Sequence, residues 1–252
     1  MASPVAASQA RIPAGVPPLH AGEGHSFLWR RLHSLTGIVP IGAFLVEHFI
    51  SNAFATNGPK AYADQVKFLT GLPFTFLLEL FFIYIPLAYH ALYGIYIWYR
   101  GESNVSEYPW TGNWLYTSQR WTGIIALIFM GYHTYTMRFT GVHLFHGGYI
   151  HAYEKVHNEL MAPWVVAFYA IGIIAASWHF AYGIWLFAAK WGITVGANAR
   201  RKFGYVCGLI AAAFILTGII SLITFLRPQS DWPPSEQPES HAEQVQPAQS
   251  HS

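Results

Sequence analysis

Five apolar stretches in this chain each approach the roughly 20 residues that an α-helix needs to cross a bilayer. They fall at about 34–52, 73–98, 121–140, 163–189 and 203–226. Hydrocarbon offers a peptide group no hydrogen-bonding partner, so any segment lying in it must be helical. The expected fold is therefore all-α, an integral membrane bundle of five transmembrane helices. Separators rich in Asn, Gly and Pro divide them, at Asn57-Gly58-Pro59, Arg100-Gly101-Glu102, Gly147-Gly148 and Gly196-Ala197-Asn198. With 53% hydrophobic and only 10% charged residues, an ordinary soluble domain is excluded. A net charge of +2, thinly scattered, excludes a nucleic-acid surface.

The membrane domain spans residues 28–226. Residues 1–27 lack a continuous apolar run after a basic start and read as a polar cytoplasmic arm, not a secretory signal. Residues 227–252 are dominated by Pro, Gln, Ser, Glu and His and read as a disordered external tail. Lys and Arg set the orientation. Arg11, Arg30, Arg31, Arg100, Arg120, Lys190, Arg200, Arg201 and Lys202 fall on the side holding the N-terminus, against Lys60, Lys67, Arg138, Lys155 and Arg227 on the other. The N-terminus is thus expected in the cytoplasm and the C-terminus outside, as in a multi-pass protein of the cell inner membrane. Trp29, Trp98, Trp110, Trp114, Trp121, Trp164 and Trp191 lie near the expected helix ends, where an interfacial belt forms.

An internal repeat underlies the pattern. Tyr89-His90-Ala91-Leu92-Tyr93-Gly94-Ile95 recurs as Trp178-His179-Phe180-Ala181-Tyr182-Gly183-Ile184, and Arg31, Thr36, Gly37 and His48 are echoed by Arg120, Thr122, Gly123 and His133. The first two helices read as a pair duplicated in the third and fourth, giving a four-helix core. The fifth helix carries no histidine and stands outside the repeat.

Helical rise sets the depth of each histidine. His48 and His133 lie late on outward-running helices and belong near the external face. His90 and His179 lie late on inward-running helices and belong near the cytoplasmic face. Two histidine pairs are thus stacked across the membrane. An imidazole in hydrocarbon is costly unless its ring nitrogens are bonded. A haem iron accepts one nitrogen from each of two histidines, and the other N–H can reach a backbone carbonyl. Gly94 and Gly183 are expected to leave room for the macrocycle. The bland alternative, core histidines bonded to neighbouring hydroxyls, is disfavoured by the register of the two pairs. A di-iron or copper site is disfavoured by the lack of accompanying carboxylates or sulfur. The single cysteine, Cys207, excludes CxxCH haem attachment and a cysteine-held iron–sulfur cluster within this chain.

Arg30-Arg31-Leu32-His33-Ser34-Leu35-Thr36-Gly37, Glu47-His48, Tyr89-His90-Ala91-Leu92-Tyr93-Gly94, Gln119-Arg120-Trp121-Thr122-Gly123, His133, His179-Phe180 and Trp191-Gly192-Ile193-Thr194-Val195 together resemble one family. It is the cytochrome b membrane anchor of succinate dehydrogenase and fumarate reductase, in the single-polypeptide type with two haems. The resemblance covers residues 28–226. It implies two b haems, the distal held by His48 with His133 and the proximal by His90 with His179. It implies a flavoprotein partner carrying FAD, an iron–sulfur partner on the cytoplasmic face, and electron transport to or from a quinone, commonly menaquinone in this family. Glu79, early in the second helix, is the expected proton donor to that quinone, and Glu47 is the second candidate. Arg31 and Arg120 are expected either to bind haem propionates or to serve topology alone. His143, His146, His151 and His157 are expected to be solvated loop residues. Two alternatives stay open: a dihaem anchor of another quinone-linked oxidoreductase, such as a nitrate reductase or hydrogenase, and a haem-free anchor.

Overall fold

The computed structural model describes residues 22–238, and among them every regular element is helical. Residues 1–21, with Arg11, and residues 239–252 lie outside the described residues. The first span is α1 (Gly22–Ile38) continued by α2 (Pro40–Ala53). Pro40 lacks an N–H, yet Val39 donates to Leu35 and Ala43 to Val39, so the backbone carries through. The second span is α4 (Thr75–Glu79), a π-helical turn at Leu80–Tyr84 and α5 (Ile85–Arg100). Pro86 would clash with the carbonyl four residues before it, and the widened turn just upstream relieves that clash. The third is α6 (Thr111–Thr134), ending in a second π-helical turn at Tyr135–Phe139. The fourth and fifth are α8 (Pro163–Lys190) and α9 (Ala197–Phe225).

Four of these spans are long and apolar enough to cross a membrane: Ser26–Asn57, Thr75–Arg100, Pro163–Lys190 and Ala197–Phe225. The α6 helix falls below that mark because its first turns carry Asn113, Gln119 and Arg120. It packs along α8, where the ring of Phe129 occupies the space a Cβ at Gly172 would need. Two helices, α1 and α6, begin two or more turns before their apolar stretches do, because backbone hydrogen bonding continues into the headgroup region after hydrophobicity has faded. Leu92, Leu209, Leu216 and Ile223 face outward, exposed, as lipid-facing residues must.

His33, near the start of the first span, meets His90, late in the second. Consecutive spans therefore run in opposite directions. One end of the bundle, here the N-face, holds the start of α1, the end of α5, the start of α6, the end of α8 and the start of α9. The opposite end is covered by a cap made of α3 (Pro59–Thr70), α7 (Ala152–Glu159) and residues 227–238.

The cap has its own core. Tyr153 is fully buried among Tyr62, Val66, Leu160 and Phe225. Its hydroxyl donates to the carbonyls of Thr224 (2.7 Å) and Arg227 (3.0 Å) and accepts from Trp232 Nε1 (3.2 Å). His157 Nδ1 meets the Phe225 carbonyl at 2.9 Å. The composition of residues 227–252 predicts a tail without order, but its first part packs. Trp232 lies against Tyr153 and beneath the Arg227 guanidinium, so one large aromatic outweighs the polar average of its surroundings. Replacing Tyr153 with Phe removes the hydroxyl that ties α7 to the end of α9. Tyr153→Phe should lose about 1 kcal/mol of stability, read as a lower thermal midpoint of the detergent-solubilised protein, with an unchanged midpoint arguing against the tie.

Candidate cofactor site

The structure brings the four histidines together as two pairs. His90 of α5 and His179 of α8 face each other near the N-face, with ring centroids 6.2 Å apart and planes at 88°. His48 of α2 and His133 of α6 face each other toward the cap, at 5.6 Å and 75°.

The N-face pair is held by the backbone. His90 Nδ1–H donates to the His33 carbonyl at 3.0 Å, and His179 Nδ1–H donates to the Gln119 carbonyl at 3.0 Å. A carbonyl can only accept, so each ring keeps its proton on Nδ1 and leaves the Nε2 lone pair available. These carbonyls are within reach because Gly37 and Gly123, four residues beyond His33 and Gln119, lack side chains. A Cβ on Gly37 would stand 2.4 Å from His90 Cε1, and one on Gly123 would stand 2.7 Å from His179 Cε1. The expected clearance at Gly94 and Gly183 is of another kind. A Cβ at Gly94 would reach only to 3.4 Å from His33, and one at Gly183 would meet nothing closer than 3.7 Å. The glycines that admit the histidines sit on the facing helices, in the weaker of the two repeats.

His33 and Gln119 occupy equivalent places beside the N-face pair; sequence alone gives His33 a place among the polar residues at the helix ends and gives Gln119 no role. His33 stacks on His90 with centroids 4.0 Å apart, and Gln119 Nε2 donates to the His179 carbonyl at 3.0 Å. His33 Nδ1 and Gln119 Oε1 are buried without a hydrogen-bond partner among the described residues. Arg31 lies over the rings of Phe27 and Trp191, each 4.9 Å away. Arg120 is engaged differently. Its guanidinium bonds the carbonyls of Trp98 and Gly101 and the Tyr116 hydroxyl, closing the C-terminal end of α5.

The cap-side pair is held by side chains. His133 Nδ1 lies 3.2 Å from the Tyr169 hydroxyl, and His48 Nε2 lies 3.3 Å from Asn52 Nδ2. Asn52 Nδ2 also donates to the His48 carbonyl at 2.8 Å, so this amide has an acceptor even where the ring nitrogen binds something else. Glu47, next to His48, bonds Ser51, which in turn accepts from Gln65 Nε2 at 3.0 Å. Glu79 pairs with Arg138 at 2.9 Å, a partner that sequence spacing did not reveal. Arg138 stacks on Phe145 and keeps Nε buried and unpartnered among the described residues.

Close by, Lys155 Nζ donates to the carbonyls of Thr140 and Val142, both at 2.7 Å. Burial lowers its pKa below the ordinary value; the positive charge of Arg138 adds to this and Glu159 opposes it. Glu159 accepts from the Tyr132 hydroxyl at 2.6 Å. A cavity of about 420 Å³ opens here, lined by Thr136, Thr140, Lys155 and Glu159 among others. Of the four histidines expected to be solvated loop residues, His157 instead lies in α7 and is tied to the Phe225 carbonyl of α9, while His151 lies 3.8 Å from Glu154.

The residues present fit a metal bound between each pair. A metal-bound imidazole nitrogen lies about 2 Å from its metal, so two rings on one ion have centroids about 6 Å apart, close to both observed separations. At the N-face the tautomer that such a metal requires is already set by backbone carbonyls, and the orphaned atoms of His33 and Gln119 mark a place where a further polar group belongs.

Residues 103–219 match a family described as succinate dehydrogenase/fumarate reductase transmembrane subunit. The chain is also 38% identical, over 200 residues, to the succinate dehydrogenase cytochrome b558 subunit of Bacillus subtilis (strain 168). That alignment covers 79% of this chain and 97% of its counterpart.

Proposed function

This chain belongs to the succinate dehydrogenase/fumarate reductase transmembrane-subunit family, as the cytochrome b membrane subunit of such a complex, and we propose that it carries electrons across the bilayer between an iron–sulfur partner and a quinone. The observation that carries this reading is the pair of opposed histidine couples, one near each end of the bundle. His90 with His179 would hold one b haem and His48 with His133 a second. When bound, two such haems supply one-electron transfer from one side of the membrane to the other.

The protein's own residues do the holding. Carbonyls of His33 and Gln119 keep the N-face imidazoles in one tautomer and one orientation. Gly37 and Gly123 admit them. Arg31, which has no carboxylate partner among the described residues, and the orphaned nitrogen of His33 would receive propionates. Arg120 remains a second such candidate, although its guanidinium already bonds the end of α5. We assign the N-face to the cytoplasm from its Lys and Arg excess. An iron–sulfur subunit would dock there and a flavoprotein subunit carrying FAD would lie beyond it.

The quinone, menaquinone on this reading, would bind at the cap, where Lys155, Glu154 and Glu159 line the cavity. Glu79 would deliver protons to it, with Arg138 holding the carboxylate in place, and Glu47 is the second donor candidate. Electrons leaving a negative interior gain about 2.3 kcal/mol each per 100 mV crossed, which would help succinate reduce a low-potential quinone.

Two measurements test these assignments. The purified complex should contain two b haems per copy of this chain by reduced-minus-oxidised spectra and haem assay. His90→Ala or His179→Ala should remove one and leave the other, His48→Ala or His133→Ala should do the converse, and Gly37→Ala should disturb only the N-face haem. Equal loss from every substitution, or no b-type bands in the parent protein, would defeat the reading. For the quinone end, Glu79→Gln with both haems retained should slow quinone reduction on the order of 10²-fold. Unchanged turnover would remove Glu79 from the proton path.

A further inference from the structure

Where α8 passes α9 near the N-face, the bundle opens sideways into a groove of about 240 Å³. One wall is a ladder of aromatic rings on a single face of α8. Trp178 and Tyr182 stack with centroids 6.1 Å apart and planes at 17°, and Tyr182 and Trp185 stack at 5.3 Å and 12°. The floor on α9 is made of small residues, Gly204, Gly208 and Ala211. A Cβ added at Gly208 would meet nothing within 4 Å, so this space is filled by no other part of the described chain.

Arg200 and Arg201 stand at the rim, both exposed. Trp185 Nε1 donates to the Arg200 carbonyl at 2.8 Å, which fixes the aromatic wall to the rim. Neither guanidinium has a carboxylate partner among the described residues. The nearest polar contact of Arg201 is Asn198 Oδ1, at 3.3 Å.

The dimensions and the charge select the occupant. Ten residues of helix from Arg201 to Ala211 descend about 15 Å, which is half of the roughly 30 Å hydrocarbon core and so the depth of one leaflet. A transmembrane helix of a partner is about 10 Å across with its side chains, too wide for a groove of this volume. A neutral quinone has no use for two unpaired arginines at the rim. We propose that this groove binds one anionic phospholipid, its phosphate on Arg200 and Arg201 and one acyl chain laid along Gly204, Gly208 and Ala211 against the rings. Arginine suits the phosphate because its fork of N–H groups matches the oxygens. Basic pockets between transmembrane helices are a recognised setting for such headgroups. The site stands apart from the haem and quinone assignments and uses none of their residues.

The experiment uses the intact complex in nanodiscs of equal phosphatidylglycerol and phosphatidylcholine, with retained lipid counted by native mass spectrometry. The parent protein should retain one phosphatidylglycerol per copy of this chain in preference to phosphatidylcholine. The double variant R200Q/R201Q should weaken phosphatidylglycerol retention by roughly thirtyfold at low salt, from the attraction each basic side chain adds near an anionic surface, and erase the headgroup preference. Gly208→Phe should expel the lipid whatever its headgroup while circular dichroism and the thermal midpoint of the protein stay as they were. Equal retention in all three proteins, or no preference for phosphatidylglycerol in the parent, overturns the proposal. It also falls if R200Q/R201Q keeps its phosphatidylglycerol but sheds the partner subunits, since the arginines would then serve a protein contact.

Discussion

A buried imidazole has two ring nitrogens to satisfy in surroundings that offer very little, and the bundle is arranged around that demand. At His90 and His179 one nitrogen is met by a backbone carbonyl on the facing helix. Backbone carbonyls in a helix normally point along its axis into the next turn, so a side chain from a neighbour reaches one only when the two helices come very close. Gly37 and Gly123 permit that approach, and the approach in turn sets how α1 lies on α5 and α6 on α8. The duplication preserves this detail along with the histidines, because a repeat that kept the histidine and lost the glycine would leave a ring without room.

At the N-face the two rings stand opposite each other with centroids 6.2 Å apart, and their hydrogen bonds to backbone carbonyls use Nδ1, leaving Nε2 to be met. A ring nitrogen left unpaired inside a membrane bundle is an unfavourable group with no gain. The arrangement is sensible only if something else completes it. The separation of the rings, the fixed tautomer and the orphaned polar atoms beside the N-face pair agree with a metal centre carrying polar substituents, which is why the haem reading rests on geometry as well as on family membership.

Much of this was legible in the sequence, for reasons that also explain what was not. The pairing of His48 with His133 and of His90 with His179 follows from depth, and depth follows from helical rise and alternating direction, both fixed by local chemistry. Helix rotation is different. Spacing does not say which side of α5 or α8 faces which neighbour, so it does not reveal that Gly37 and Gly123 admit the rings of His90 and His179. The pairing of Glu79 with Arg138 joins segments far apart in the chain and depends on the π-helical turns at Leu80–Tyr84 and Tyr135–Phe139, which composition does not announce. Trp232 shows the reverse failing: the average character of a polar segment hid the one residue able to anchor it.

The two histidine pairs differ in what holds them, and the difference bears on how a wire of this kind gains a direction. Backbone carbonyls cannot titrate and are little moved by neighbours, so the N-face pair sits in a fixed electrostatic frame. The cap-side pair is held by Asn52 and the Tyr169 hydroxyl, within a polar region that includes Glu47, Glu79, Arg138, Lys155 and Glu159. Side-chain partners respond to charge and to proton movement, whereas helix backbone does not. On the proposed function, the end of the wire that must exchange protons with a quinone is the end whose ligands answer to ionisable groups. At the end that receives electrons from a partner, the hydrogen-bond acceptors of the histidines are backbone carbonyls, which do not titrate. That division follows from what the ring nitrogens of the four histidines meet, backbone carbonyls at the N-face and the side chains of Asn52 and Tyr169 at the cap.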